Sequence, residues 1–287
     1  MSQIGSSDNY KQGYSNYTTA THEARTAESS AAFLIPHLKE TDHILDVGCG
    51  PGTITTGFAK YAHKGIVVGL DMSMDVLERA RKLATEAAVP AEGAGSVRFE
   101  QGNALERLPF PDDTFDVVYS SQVLGHMPPP DLPRHALVEM RRVLKSGGIL
   151  ASRDGLSRSS MFSPRNLHLD RLWSQNLNKV LRQGAPSQVE DTAASLPALY
   201  RSAGFDAQGD KVRVGAGTMV FSGPETRKWL AWRTAGQLKP GDRFHQSWLE
   251  AGISEDEIQE TLRAMNQWAE TDDAWFASMQ CEMLAWK

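Results

Sequence analysis

A short apolar run, Ile44-Leu45-Asp46-Val47, passes straight into Gly48-Cys49-Gly50-Pro51-Gly52 and then into a helical stretch beginning at Thr53. Glycines at alternate positions let the backbone turn sharply and let another molecule approach it closely. The amides that open the next helix have no partner within that helix, so they are available to a polar ligand. A strand that ends in such a turn belongs in a sheet of parallel strands connected by helices. The alternative is a tight turn and a helix cap with no ligand. Asp71 favours the ligand: it closes the next apolar run, Ile66 to Leu70, 21 residues after Gly50, where a carboxylate can accept both hydroxyls of a ribose.

The alternation continues along the chain. His43 to Val47, Ile66 to Leu70, Val97 to Glu100, Phe115 to Tyr119 and Ile149 to Ser152 read as strands, and Thr53 to Ala62, Asp75 to Ala88 and Leu132 to Lys145 as helices. Strands separated by helices of this length pair in parallel through right-handed crossovers. The expected fold class is therefore α/β, a doubly wound Rossmann-like sheet of about seven strands. Ahead of it, a polar arm leads into an amphipathic helix over His22 to Leu38, whose last turn Pro36 limits. Beyond Gly155 the pattern is mostly helical, over Met161 to Arg182, Val189 to Ala203, Pro224 to Gln237 and Ser254 to Glu270. Two strand candidates, Lys211 to Val214 and Gln280 to Trp286, finish the sheet. The chain thus divides into an N-terminal arm and lid helix (1–40), a ligand-binding core (41–155) and a helical cap with the final strands (156–287).

Two ligand classes remain open at this point, a dinucleotide and another adenosine compound. The dinucleotide fingerprint G-x-G-x-x-G is not met, because the third glycine comes one residue early, and no arginine follows Asp71 to take a 2′-phosphate. Taken together, DVGCGPG, GLDMS, GNALERLPFPDDTFDVVYSSQVLGHM and EMRRVLKSGGIL resemble, in order and spacing, the motifs of class I S-adenosylmethionine-dependent methyltransferases. The branch is similar to the ubiquinone/menaquinone C-methyltransferases (methyltransferase type 11 domain). The resemblance covers about residues 40 to 155, and the ending DDAWFASMQCEMLAWK is similar to the last helix and antiparallel strand of such enzymes. It implies S-adenosyl-L-methionine as cofactor, an antiparallel last strand, helical cap insertions and in-line methyl transfer to a small organic acceptor, a specialised metabolite or a quinone-like compound. A non-methylating step such as cyclisation, or a non-catalytic regulator on the same fold, would carry the same cofactor motifs.

The resemblance also implies residue roles. Gly48, Cys49 and Gly50 pack their backbone against the methionine part of the cofactor, Asp46 supports the turn or the amino group, and Asp71 takes the ribose hydroxyls. Met72 lies along the adenine, unless it is a core residue. Asn103 and Ala104 stand where many relatives carry Asp-Ala; asparagine still offers a side-chain oxygen to the adenine amine, so that recognition is weakened rather than lost. Ser121 and Gln122 follow the fourth strand, beside the reactive sulfonium. His126, in the same loop, is the candidate general base, with a structural histidine closing the loop as the alternative. Arg153 and Asp154 point at the crevice or form a plain ion pair. Tyr10, Tyr14 and Tyr17 fold over the cofactor as a lid, with His22 or Arg25 near its carboxylate, or belong to a frayed terminus.

All seven tryptophans lie beyond residue 170. Trp173, Trp229 and Trp232 are candidates for an aromatic acceptor pocket, and the others for stapling the cap to the sheet. The partners expected are few. A formal charge of −5 without a basic run argues against nucleic acid, and no apolar stretch reaches the roughly 20 residues that span a bilayer. Two cysteines supply neither a disulfide framework nor a Cys-rich metal site, which suits a cytoplasmic protein, monomer or homodimer.

Overall fold

Strand β1 (His43–Val47) lies parallel between β2 (Ile66–Asp71) and β4 (Phe115–Ser121), with Asp46 level with Gly69 on one side and Tyr119 on the other. From β1 the chain fills the sheet outward, through β2 to β3 (Ser96–Gln101) on one side and through β4 to β5 (Leu144–Gly155) on the other. The winding reverses between β1 and β4, which leaves a crevice at the carboxyl ends of those two strands. Strand β8 (Trp275–Trp286) adds antiparallel to β5, and β7 (Val212–Phe221) runs antiparallel along its other edge. The short β6 (Met161–Ser163) takes over from β5 where β8 continues past it. The result is an eight-stranded, doubly wound α/β sheet in which β8 is antiparallel to each strand it pairs with. This computed structural model describes residues 12–13, 15–127, 129–156, 158–182, 191–206 and 210–287. No helix among them is long and apolar enough to cross a membrane.

Side chains alternate across the sheet and so divide between two cores. Leu45 and Val47 enter the one covered by α5 (Asp131–Val143) and α7 (Thr192–Ser202), where Leu137, Met140, Leu196 and Tyr200 meet them. Ile44 enters the opposite one, under α3 (Thr53–Phe58) and α4 (Met74–Glu86), with Phe58, Leu77 and Ala80. The same alternation turns Asp46 toward α3, where Thr55 Oγ1 donates to its carboxylate at 2.6 Å.

The helix expected over His22 to Leu38 is broken into three pieces. Helix α1 (Asn16–Glu23) starts earlier and ends at Glu23. Then Thr26 caps the short α2 (Ala27–Ser30), its Oγ1 accepting from Ser29 N at 3.2 Å while Ser29 Oγ accepts from Thr26 N at 2.9 Å. A 3-10 turn over Ile35–His37 carries Pro36. A reciprocal cap satisfies the amides that a continuous helix would otherwise have bonded, so it outweighs the apolar spacing. The helix expected over Met161 to Arg182 is replaced by β6, a 3-10 turn, a π turn over Asp170–Gln175 and only then α6 (Asn176–Leu181). Pro164, which cannot donate a ladder bond, stands at the change from strand to turn.

Residues 189 and 190 of the next expected helix lie outside the described residues; α7 begins where Asp191 accepts from Ala193 N at 3.0 Å. Helices α8 (Pro224–Gln237) and α10 (Glu255–Glu270) lie where their periodicity places them, whereas α9 (Arg243–Glu250) was not anticipated. Strand β7 runs to ten residues, and Gly215 and Gly217 hide its apolar pattern; Gly217 leaves room for the Glu282 side chain.

The cap has its own core. Trp173, Trp248 and Trp268 are buried in it with Phe162, Phe244 and Phe276, and Trp268 Nε1 donates to Ser163 O at 3.0 Å. Trp268→Ala removes a wholly buried ring and leaves that carbonyl without its donor. The expected cost is about 3–5 kcal/mol, read as a lower urea midpoint at unchanged m-value; a loss under about 1 kcal/mol would refute this account of the cap.

Candidate active site

The turn after β1 is tied to the tip of β2. Gly48 N and Cys49 N both donate to Leu70 O, at 2.7 and 3.0 Å, and Gly50 N donates to Asp71 Oδ2 at 3.0 Å. Ser73 N donates to the other Asp71 oxygen at 3.0 Å. Two backbone amides thus fix the carboxylate plane, while burial pushes Asp71 above the usual carboxylate range, its backbone hydrogen bonds partly opposing. Gly48 and Gly50 have φ of +73° and +54°, left-handed values that favour glycine. A Cβ on Gly48 would lie 2.4 Å from Val123, whereas one on Gly50 would meet nothing nearer than His22 Nδ1 at 3.9 Å. The first glycine is required by packing and the second stands open to the crevice.

A single cavity of about 220 Å³ occupies the crevice, and Asp46, Gly48, Cys49, Gly50, Asp71, Met72, Asn103, Ala104, Ser121, Gln122 and His126 all border it. Burial pushes Asp46 up to about 7, against the lowering effect of its Thr55 hydrogen bond. Asn103 Oδ1 accepts from Leu105 N at 2.9 Å, which fixes the turn. Gln122 carries φ +58°, uncommon for a residue with a side chain; its N donates to Arg153 O at 2.8 Å, and its Nε2 donates to Gln280 Oε1 from β8.

His126 ends a 3-10 turn, Leu124–His126, that is anchored where Gly125 N donates to Asp154 Oδ1 at 2.9 Å. Burial first, and then the positive charge of Arg25, push His126 down to about 4. The ring is therefore neutral throughout the neutral range. Arg25 borders the same cavity, as does His22, which burial and then Arg25, Arg233 and His126 hold well below its ordinary range.

Other expected residues stand elsewhere. Tyr17 does not border the cavity; its ring centroid lies 5.0 Å from that of Trp232 and its ring fills the space above Gly236. Tyr10 and Tyr14 are outside the described residues. Arg153 pairs with Glu282 at 3.2 Å, and Asp154 supports the His126 turn, so both act from behind the cavity wall. None of the three proposed pocket tryptophans lines the cavity. Trp173 is in the cap core, Trp229 stacks on Phe221 at 5.8 Å, and Trp232 is half exposed against Tyr17. Val123 and Met127 do line it. As plain apolar residues they carry no chemical signal in the sequence, although the glycine at 48 is the footprint of Val123.

A family model described as a methyltransferase domain matches residues 44–148. The Aspergillus luteorubrus protein named probable methyltransferase ltbC is 56% identical over 287 residues, the whole of both chains. The 27-O-demethylrifamycin SV methyltransferase of Amycolatopsis mediterranei is 36% identical over 151 residues, 52% of each chain. Among solved structures, YcgJ from Bacillus subtilis matches with a TM-score of 0.54 at 20% identity, over 89% of this chain and 97% of its own, which shows the shared fold. The chain belongs to the S-adenosylmethionine-dependent methyltransferases.

The site fits that cofactor on its own chemistry. A carboxylate pinned by two amides at the tip of β2 suits a diol, and the open face at Gly50 would be filled by any Cβ. His126 and Arg25 yield a directional prediction: Arg25→Gln removes the neighbouring positive charge, so the folded-state pKa of His126 rises from about 4 toward its ordinary 6.5. NMR titration of the His126 ring checks this, and an unmoved midpoint would overturn the electrostatic assignment. Because the folded value lies below the unfolded one, the stability contributed by neutral His126 is present above about pH 6.5 and is lost as pH falls toward 4.

Proposed function

We propose that the protein methylates a small organic acceptor with an acidic O–H or C–H, such as a phenolic specialised metabolite or a quinone-like compound, beside Ser121, Gln122 and His126. The single observation that carries this is the placement of His126 in the cavity wall beside Val123 and Met127, where burial and then the Arg25 charge push its ring down to about 4. When bound, S-adenosylmethionine supplies a methyl group on an excellent leaving group, so the chain's tasks are alignment, exclusion of water and care of one proton. Asp71 would hold the ribose, Gly48 to Gly50 the methionine end, and Met72, Asn103 and Ala104 the adenine. Ser121 and Gln122 would set the end of β4 against the reacting centre, with Gln122 fixed by Gln280.

His126 would take the acceptor's proton at a ring nitrogen. With its pKa at about 4, the ring is always ready to receive a proton at neutral pH but holds it weakly. That favours acceptors whose own acidity is raised by conjugation over simple alcohols. The Amycolatopsis relative, named for 27-O-demethylrifamycin SV, supports the specialised-metabolite reading. In the same reading the protein is cytoplasmic, monomer or homodimer, with neither nucleic acid nor membrane as partner.

Two outcomes test this. Incubating the protein with labelled S-adenosylmethionine and an extract of small metabolites should transfer label to a compound that gains the mass of one methylene, while products without that gain would point to a non-methylating reaction. Asp71→Ala should weaken S-adenosylhomocysteine at least tenfold in calorimetry, about 1.4 kcal/mol, whereas His126→Ala should leave that binding intact and lower turnover by about 10²–10⁴-fold.

A further inference from the structure

Helix α1 is gripped from two sides. Toward the cofactor core, Thr53 Oγ1 donates to His22 O at 3.1 Å. Arg79 of α4 donates from Nη1 to Asn16 Oδ1 and Thr19 Oγ1, each at 3.3 Å, and pairs with Glu23. Toward the cap, the Tyr17 ring sits so close over Gly236 of α8 that a Cβ there would lie 2.1 Å from it, with Trp232 beside the ring. One residue on, Gln237 Nε2 donates to Thr18 Oγ1 at 2.8 Å, and both residues are wholly buried. The far end of α1 delivers His22 and then Arg25 to the wall of the cavity, with His22 above Gly50.

This seam is matched in shape but polar. Thr21 Oγ1 on α1, and Thr234 Oγ1 and Gln237 Oε1 on α8, are buried without a hydrogen-bond partner among the described residues. Buried polar atoms left in that state weigh against a seam, and water satisfies them once the helices part. A glycine inside α8 is itself unfavourable to the helix, so its presence opposite Tyr17 has a steric use rather than a helical one.

We propose that Gly236 and Gln237 are positioning residues of the cofactor site: through α1, the cap helix α8 sets where His22 and Arg25 stand above the Gly48 to Gly50 turn. The proposal rests on the reading of His22 and Arg25 as cofactor-side residues. It makes cofactor affinity depend on a contact outside the cavity, and so couples the cap to the nucleotide half of the enzyme.

The test is calorimetry and stopped-flow release of S-adenosylhomocysteine from the full chain. Gly236→Ala, which drives a methyl group into the Tyr17 ring, should raise Kd about tenfold, mostly through faster dissociation. In the double variant Tyr17→Ala with Gly236→Ala the added methyl group has room, so Kd should equal that of Tyr17→Ala alone. Gln237→Leu, which keeps the size and removes the Thr18 bond, should raise Kd about fivefold and covers the case in which Gly236→Ala does not fold. His22→Ala separates the two readings. If His22→Ala binds normally, the cofactor-side reading fails and takes the proposal with it. If His22→Ala is weakened while Gly236→Ala and Gln237→Leu bind like the parent, or if the double variant shows the two losses added together, the role of α8 alone is overturned.

Discussion

Everything at the site depends on one hydrogen bond, from Gly50 N to the Asp71 carboxylate at 3.0 Å. It joins the turn after β1 to the tip of β2, two points that the sheet register already brings level, since Val47 pairs with Leu70. Burying a carboxylate without partners would be costly, and burial does push Asp71 upward. The backbone amides of Gly50 and Ser73 compensate on the protein side. The same contact ties the glycine turn, left-handed at Gly48 and Gly50, to the tip of β2. The geometry of this turn is thus a property of sheet register before it is a property of any one side chain.

Much of this is legible in the sequence because it is local. Gly48, Gly50, Gly52 and Asp71 lie at fixed offsets from strand ends, and strand ends are marked by where apolar runs stop. Gly52 even has its packing use recorded, since a Cβ there would strike Phe99 and Ala80. The failures share a cause as well. Met161 to Ser163 reads as helix because its apolar residues suit either period, and only pairing with Trp275 to Ala277, more than a hundred residues away, makes it a strand. Trp173, Trp229 and Trp232 look like pocket residues because size and aromaticity say nothing about which side of a helix faces which void. Tyr17 looks like a cofactor lid for the same reason, and the glycine that receives it lies more than two hundred residues later in the chain.

The antiparallel β8 explains how a cap can be added without disturbing the nucleotide half. Strands β1 to β5 are complete by Gly155, and β8 returns along β5 from Trp286 to Gln280. Its far end continues beyond β5, where it carries β6 and the aromatic core of Phe162, Phe276 and Trp268. One strand therefore belongs to two cores, and Gln280, in register with Gly155 at the junction, reaches Gln122 at the end of β4.

The electrostatics of the cavity set a direction for the chemistry. Burial, and then the charge of Arg25, lower the basicity of both His22 and His126, so the two rings add no positive charge to the cavity wall. A cationic acceptor approaching that wall would meet an arginine and, once cofactor is bound, a sulfonium. An acceptor that develops negative charge as it gives up its proton is favoured by both. If His126 serves as the proposed base, the field that weakens it would also strengthen the acidity of an acceptor beside it, and the two effects would oppose each other in the proton transfer. Under the proposed function, what would survive the cancellation is stabilisation of an anionic acceptor as it meets the methyl group.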